Sequence, residues 1–277
     1  MEHSDTRTGT RELLASAVYG VSVGTIAGLI GLGGAELLIP FILYFLDAPL
    51  EDMIAANIII SLASSSVNFV LRARIGLFTG GSLELAAVMI IGSIFGAYAG
   101  ASLSHRVSER GLKAFIAFIL ALVDLRILAD VFFPASGQAF MSGSVALGVS
   151  VLLGLVIGIV SGSVGVAGGE YRIPTFTYLF GIPIKVAGTA SQLVSIPTLL
   201  VALAKHAIQG SVSRRSIRIA AMLGTPTVAG VVIGSFLVAG APDNVIRLLF
   251  ASIITYSIVR LVAEVRVKHP ASTLKNA

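Results

Sequence analysis

The chain has 277 residues, of which 12% are charged and 56% hydrophobic, with a mean hydropathy of +0.96. An ordinary soluble domain carries about 25% charged residues, so this composition excludes a soluble fold and points to a polytopic membrane protein embedded in a lipid bilayer. The 19 Lys+Arg against 14 Asp+Glu, net +5, are therefore read as orienting charges on membrane loops and not as a nucleic-acid surface, and the absence of cysteine excludes disulfides, thiolate metal sites and a cysteine nucleophile.

A tail of mixed charge, residues 1–12, precedes an apolar run at 13–32 that is too long for a signal-peptide core and is read as retained. A glycine-rich stretch at 31–36 leads into a short apolar segment, 37–46. Spans follow at 53–71, 82–103 and 111–133. The uncharged connection 134–143 (PASGQAFMSG) opens the second half. Beyond it come a long run at 145–166, a second glycine-rich stretch at 165–170, a short segment at 173–180, and spans at 184–203, 217–239 and 245–265, before the tail 266–277.

The halves repeat at an offset of 134 residues without a gap: GTIAGLIGLGGAELLIPFILY (24–44) lies over GIVSGSVGVAGGEYRIPTFTY (158–178). About 14 of 53 positions are identical from Gly24 to Gly76, where chance in so biased a composition gives roughly 4. The first repeat is set at 1–133 and the second at 134–277. Gly96 and Gly100 lie over Gly230 and Gly234, a small-xxx-small pair in each half that reads as close helix packing.

Basic residues orient the repeats. Arg106, Arg110 and Lys113, then Lys205, Arg214, Arg215 and Arg218, and the tail residues Arg266, Lys268 and Lys275 belong on the cytoplasmic side, while 134–143 and 239–244 belong outside. The loop holding Arg72 and Arg74 must then lie outside while its repeat mate lies inside, so the repeats are inverted and these two arginines break the charge rule. Both termini are expected in the cytoplasm. Each half holds three certain spans, an odd number, so the first long helix and the short segment after it must return to their starting side. The expected fold is all-α and integral to the membrane: two inverted repeats, each a re-entrant helical hairpin with a glycine-rich tip followed by three transmembrane helices. Both tips are placed near mid-membrane, where broken backbone survives only inside protein or a polar cavity.

The tips end without the Gly-Lys-Ser/Thr of a nucleotide-binding loop. Free N–H groups and the dipole of a half-helix start suit an anion, which makes Gly33, Gly34, Gly168 and Gly169 candidate substrate-binding residues. Glu36 and Glu170 follow the tips directly, and a carboxylate at that depth costs about 2.5–3.5 kcal/mol. They are read either as caps of the half-helices or as groups that couple a proton or sodium ion to transport. Arg172, whose repeat mate is Leu38, offers a guanidinium to sulfonate or carboxylate oxygens. Of the polar residues on the helices that follow, Asn57, Ser61, Thr189, Ser191, Gln192 and Ser195 are expected to wall the pathway. Arg126 with Asp130 and Arg260 with Glu264, each at i, i+4, read as interfacial ion pairs, and Asp124 has no assigned role. His3, His105, His206 and His269 lack metal-ligand spacing, so neither metal nor cofactor is expected.

The duplicated glycine motif, Gly31 to Pro40 and Gly165 to Pro174, resembles the signature of the TauE/SafE family of sulfite exporter-like membrane transporters, with Ala35 and Ala167 replacing glycines and Glu36 and Glu170 where many members are apolar. The resemblance implies a secondary transporter of small organosulfur anions such as sulfite, sulfoacetate or other sulfonates, or of related organic anions. It implies no enzyme. An anion channel using the same centre is the alternative, and a membrane-embedded enzyme a weaker one, since no nucleophile-base pair is seen.

Overall fold

The computed structural model describes residues 10–103, 109–132 and 139–266. The basic residues Arg106, Lys268 and Lys275, residues 134–138 of the 134–143 connection, and the side chains of Glu36, Arg110, Lys113, Glu264 and Arg266 lie outside the described residues. Among the described residues the chain is entirely helical, in the order α1 (Thr10–Ile30), α2 (Ala35–Pro40), α3 (Leu50–Arg74), α4 (Gly80–Leu103), α5 (Glu109–Phe132), α6 (Gly143–Val164), α7 (Gly169–Pro174), α8 (Ile184–Ile208), α9 (Arg214–Leu237) and α10 (Asp243–Arg266). Six of these, α1, α3, α4, α6, α8 and α9, contain segments long and apolar enough to cross a bilayer. The two other expected spans fall on α5 and α10, helices of 24 residues each, about 36 Å at the α-helical rise.

The short helices owe their form to two residue types. Gly31 and Gly34 take left-handed backbone, φ 96° and 78°, as do Gly165 and Gly168, φ 76° and 74°. A side chain at such φ is strained, so glycine is what permits the chain to stop one helix and reverse into the next. At the other end Pro40 and Pro174 withhold an N–H, and each short helix continues as a π-helical turn, Phe41–Phe45 and Thr175–Leu179. The first short segment runs back along α1. Gly34 faces Val23 and Ala27, the Tyr19 hydroxyl donates to the Leu37 carbonyl at 2.5 Å, and the Tyr19 ring stacks on Phe41 with centroids 4.6 Å apart. Gly168 faces Ile157, the residue matching Val23 at the 134 offset. From α2 to α5 every element has a counterpart in α7 to α10 with both bounds shifted by 134 residues.

The halves interlock. α1 packs along α9 and α6 along α4, while α3 packs against α8 and α5 against α10. Helix backbones approach closely where glycines stand in register. A Cβ at Gly96 would fall 2.1 Å from the Leu155 carbonyl oxygen, and one at Gly230 would fall 2.2 Å from that of Val21, its counterpart in the other half. Such contacts serve where lipid leaves little hydrophobic drive between helices and packing must hold them together. The apolar core accordingly draws on both halves, with Ala27, Ile30 and Met89 in one cluster with Ile173, Ala190 and Val231.

A side chain at these glycines would meet backbone, which cannot rotate away, so Gly96→Val is expected to cost more than the about 1–3 kcal/mol of ordinary overpacking. Gly81→Ala, where nothing lies within 4 Å, should leave the melting temperature unchanged or raise it. Thermal unfolding of the two detergent-solubilised variants measures the difference.

Candidate functional site

The glycine-rich tips meet. A methyl group at Gly33 would lie 2.6 Å from the Ala167 Cβ, and one at Gly169 would lie 2.8 Å from Leu32 Cδ2. Gly33 and Ala167 are equivalent across the repeat. Residues 31–34 and 165–170 are buried, so the carbonyls of 31–33 and 165–167, which lie between helices, need partners within the protein.

Side chains of α3 and α8 supply those partners, each helix reaching the tip of the other half. Asn57 Nδ2 donates to the Gly165 carbonyl at 3.0 Å, and Gln192 Nε2 donates to the equivalent carbonyl of Gly31. Asn68 Nδ2 donates to Ala27 and Leu32 carbonyls at 3.3 and 3.5 Å, its Oδ1 accepting from Ser235 at 3.1 Å.

Two arginines, Arg72 and Arg172, are 0% exposed. Arg172 Nη1 donates to the Ala167 carbonyl at 2.6 Å and to Ser195 Oγ at 2.8 Å, and Nη2 donates to Thr198 Oγ1 at 3.3 Å. It thereby ties its own tip to α8. Arg72 corrects the sequence reading, which put it in an outer loop. The helix α3 continues past the apolar run to Arg74, and Arg72 turns inward onto the end of α1. There Nη1 donates to the Gly28 and Leu29 carbonyls at 2.8 and 3.0 Å, Nη2 to the Lys185 carbonyl at 2.7 Å, and Nε to Thr189 Oγ1 at 3.1 Å. A helix C-terminus attracts a cation because its last carbonyls are unsatisfied and its dipole is negative there. The other half repeats the arrangement: His206 matches Arg72, and its Nε2 lies 3.2 Å from the carbonyl of Gly162, which matches Gly28.

The expected pathway residues divide into two groups. Thr189 is engaged by Arg72 and donates to Lys185 O at 3.2 Å, and Ser195 accepts from Arg172. Asn57 and Gln192 use their amide nitrogens on the tips, but Asn57 Oδ1, Gln192 Oε1 and the hydroxyls of Ser61 and Ser191 are buried with no hydrogen-bond partner among the described residues. Ser64 and Ser65, which the sequence reading left out of the pathway, are in the same state. Gly33 stands against Ser65 Oγ and the Ser61 Cβ, and Gly169 against Ser191 Oγ, at 3.3–3.6 Å from a Cβ built on each. Gly34 instead faces α1, and Gly168 faces Ile157 with the Arg172 guanidinium beyond. Asn57, Ser61, Ser64 and Ser65 share one face of α3 at i, i+4, i+7 and i+8.

Glu170 is 4% exposed and is turned toward Ser257 and Arg260 of α10, with Oε2 lacking a partner. The structure therefore sets it beside α10 and not among the α3 serines. Farther along α10, Arg247 Nη1 reaches Asp130 Oδ2 at 2.8 Å, and Asp130 also pairs with Arg126 as expected. Asp124 Oδ2 accepts from Thr255 at 2.6 Å. A cleft of about 300 Å³ between α3 and α9 is lined by Ile59, Ile60, Ala63, Ala220, Gly224, Thr225 and Val228. Its nearly all-apolar lining suits a lipid tail and not this polar centre.

Removing the Arg72 guanidinium would leave one buried carbonyl, two half-buried carbonyls and one hydroxyl without their donor. Arg72→Ala is expected to cost at least about 3 kcal/mol of stability, against about 1 kcal/mol for His206→Ala, which loses one contact. Thermal unfolding in detergent reads both.

The sulfite exporter TauE/SafE family matches residues 16–261. Among curated proteins, the probable membrane transporter protein YunE of Bacillus subtilis (strain 168) is 22% identical over 221 residues, 71% of this chain and 78% of its own. The probable membrane transporter protein YjnA of the same organism is 26% identical over 265 residues, 88% of this chain and 98% of its own. The probable membrane transporter protein MamO of Magnetospirillum gryphiswaldense is 31% identical over 121 residues, 42% of this chain and 19% of its own. No solved structure matches significantly. With six helices suited to a bilayer and a family match over nearly its whole length, the chain belongs to the TauE/SafE family of membrane transporters.

Proposed function

We propose that the chain is a secondary transporter that moves small organosulfur anions, or related organic anions, across the cytoplasmic membrane by alternating access at the tip contact. The observation that carries this reading is the pair of fully buried guanidiniums, Arg72 and Arg172, flanking the tips. An arginine inside a membrane protein is costly and is kept where positive charge is used. Hydroxyls of Ser61, Ser64, Ser65 and Ser191, buried without partners nearby, offer an anion further donors.

In this reading each half, 1–133 and 134–277, is a re-entrant hairpin followed by three spans, with the halves inverted and both termini cytoplasmic. The return of α2 along α1 supports the hairpin, and the matched helix bounds support the repeat. Burial of Arg72 supports the inversion, because it leaves Arg74 as the exposed arginine at the end of α3 and weakens the conflict with the charge rule. Rocking of one half against the other about the tip contact would open the centre to each face in turn.

Glu170 is the proposed coupling group, joined by Glu36. Its partnerless oxygen and its burial support a carboxyl that takes up a proton during the cycle. In proteoliposomes loaded with 2-hydroxyethanesulfonate, external tracer of the same anion is expected to accumulate by exchange, and Arg172→Ala should lower that exchange at least about 10-fold. Glu170→Gln should keep exchange but lose uptake driven by a pH gradient. Equal loss of both activities would remove Glu170 from coupling, and steady planar-bilayer currents without exchange would favour a channel.

A further inference from the structure

We infer that the anion this site accepts carries its own O–H or N–H donor, and that Asn57 and Gln192 are the residues that recognise it. The inference rests on the anion-transport reading and narrows its substrate class. The orientation of both amides is set by their partners: Asn57 Nδ2 donates to Gly165 O and Gln192 Nε2 to Gly31 O. Turning either amide over would press two oxygens together. Asn57 Oδ1 and Gln192 Oε1 must therefore present as acceptors, and both are buried with no donor among the described residues. Both residues are 0% exposed.

A buried acceptor without a donor is a cost that a ligand can remove. A bare sulfonate or carboxylate cannot, because it brings only more acceptor oxygens. A metal cation would suit the two amide oxygens alone, but it would sit near Arg72, whose guanidinium lies 2.8 Å from the position of a Cβ on Gly188, the residue packed against Gly31. An anion with a hydroxyl or ammonium substituent satisfies the whole set. Its negative end takes the donors, the guanidiniums and the hydroxyls of Ser61, Ser65 and Ser191, while its O–H or N–H reaches the amide oxygens. Sites built to bond a substrate hydroxyl discriminate strongly against the analogue that lacks it, because their own polar groups are left unpaired.

Matched pairs of probes test this on the purified full-length protein. Thermal-shift titrations would compare 2-hydroxyethanesulfonate with ethanesulfonate, and lactate with propionate, each pair differing by one hydroxyl. In at least one pair the hydroxylated member is expected to bind at least about 10-fold tighter. Gln192→Met and Asn57→Leu should bring that ratio toward one, whatever the loss of their tip contacts does to the affinity for the plain anion. The ratio is taken within each variant, so partial loss of folded protein cancels, and the wild-type ratio decides the matter even if neither variant folds. Equal affinities within both pairs would overturn the inference, with water serving the amide oxygens, and would leave anion transport standing. If no probe shifts the melting temperature and none exchanges in proteoliposomes, the anion reading fails and this inference falls with it.

Discussion

Buried backbone outside a helix must find hydrogen-bond partners, and the structure depends on how that requirement is met at the two tips. The carbonyls of residues 28–32 and 162–167 leave the helical ladder where α1 and α6 end. They are met by Asn57, Asn68, Arg72, Gln192, Arg172 and His206, drawn mainly from α3 and α8. The broken segments are thus stable only because two long polar-faced helices cross them. Those helices are in turn held by the tips they serve.

The same bonds shape the chemistry of the centre. An amide has two ends, and committing its nitrogen to a tip carbonyl leaves its oxygen directed elsewhere. An arginine committed to carbonyls and hydroxyls brings its charge into the interior along with its donors. Structural anchoring therefore leaves behind positive charge, acceptor oxygens and hydroxyls in one region. Stability and recognition are two consequences of one set of contacts here, so substitutions at the centre act on both.

Around this centre the packing is set by glycine. The first helix of each half lies against the third long helix of the other, α1 on α9 and α6 on α4, with backbone touching backbone at Gly24, Gly28, Gly92 and Gly96. Each half supplies walls for the other. The asymmetries then stand out against the repeat: Arg172 over Leu38, and Arg72 over His206. Gln192 does for Gly31 what Asn57 does for Gly165, although their matched positions differ by one.

Periodicity, glycine punctuation and charge scarcity made the membrane class, the helix order, the 134-residue repeat and the tips readable from the chain, because these depend on local spacing and on solvation by lipid. The burial of Asn57, Ser61, Ser191, Gln192 and Arg172 was foreseeable on the same ground, since polar residues inside apolar helices face protein. Arg72 was not, because an arginine at the end of an apolar run looks identical whether it reaches water or the end of a neighbouring helix. Nor could the chain alone say that Glu170 faces α10 while Ser65 faces the tip at Gly33, or which end of each amide is used. Those matters turn on which groups a side chain meets from elements distant in the chain, and only the tertiary structure brings them together.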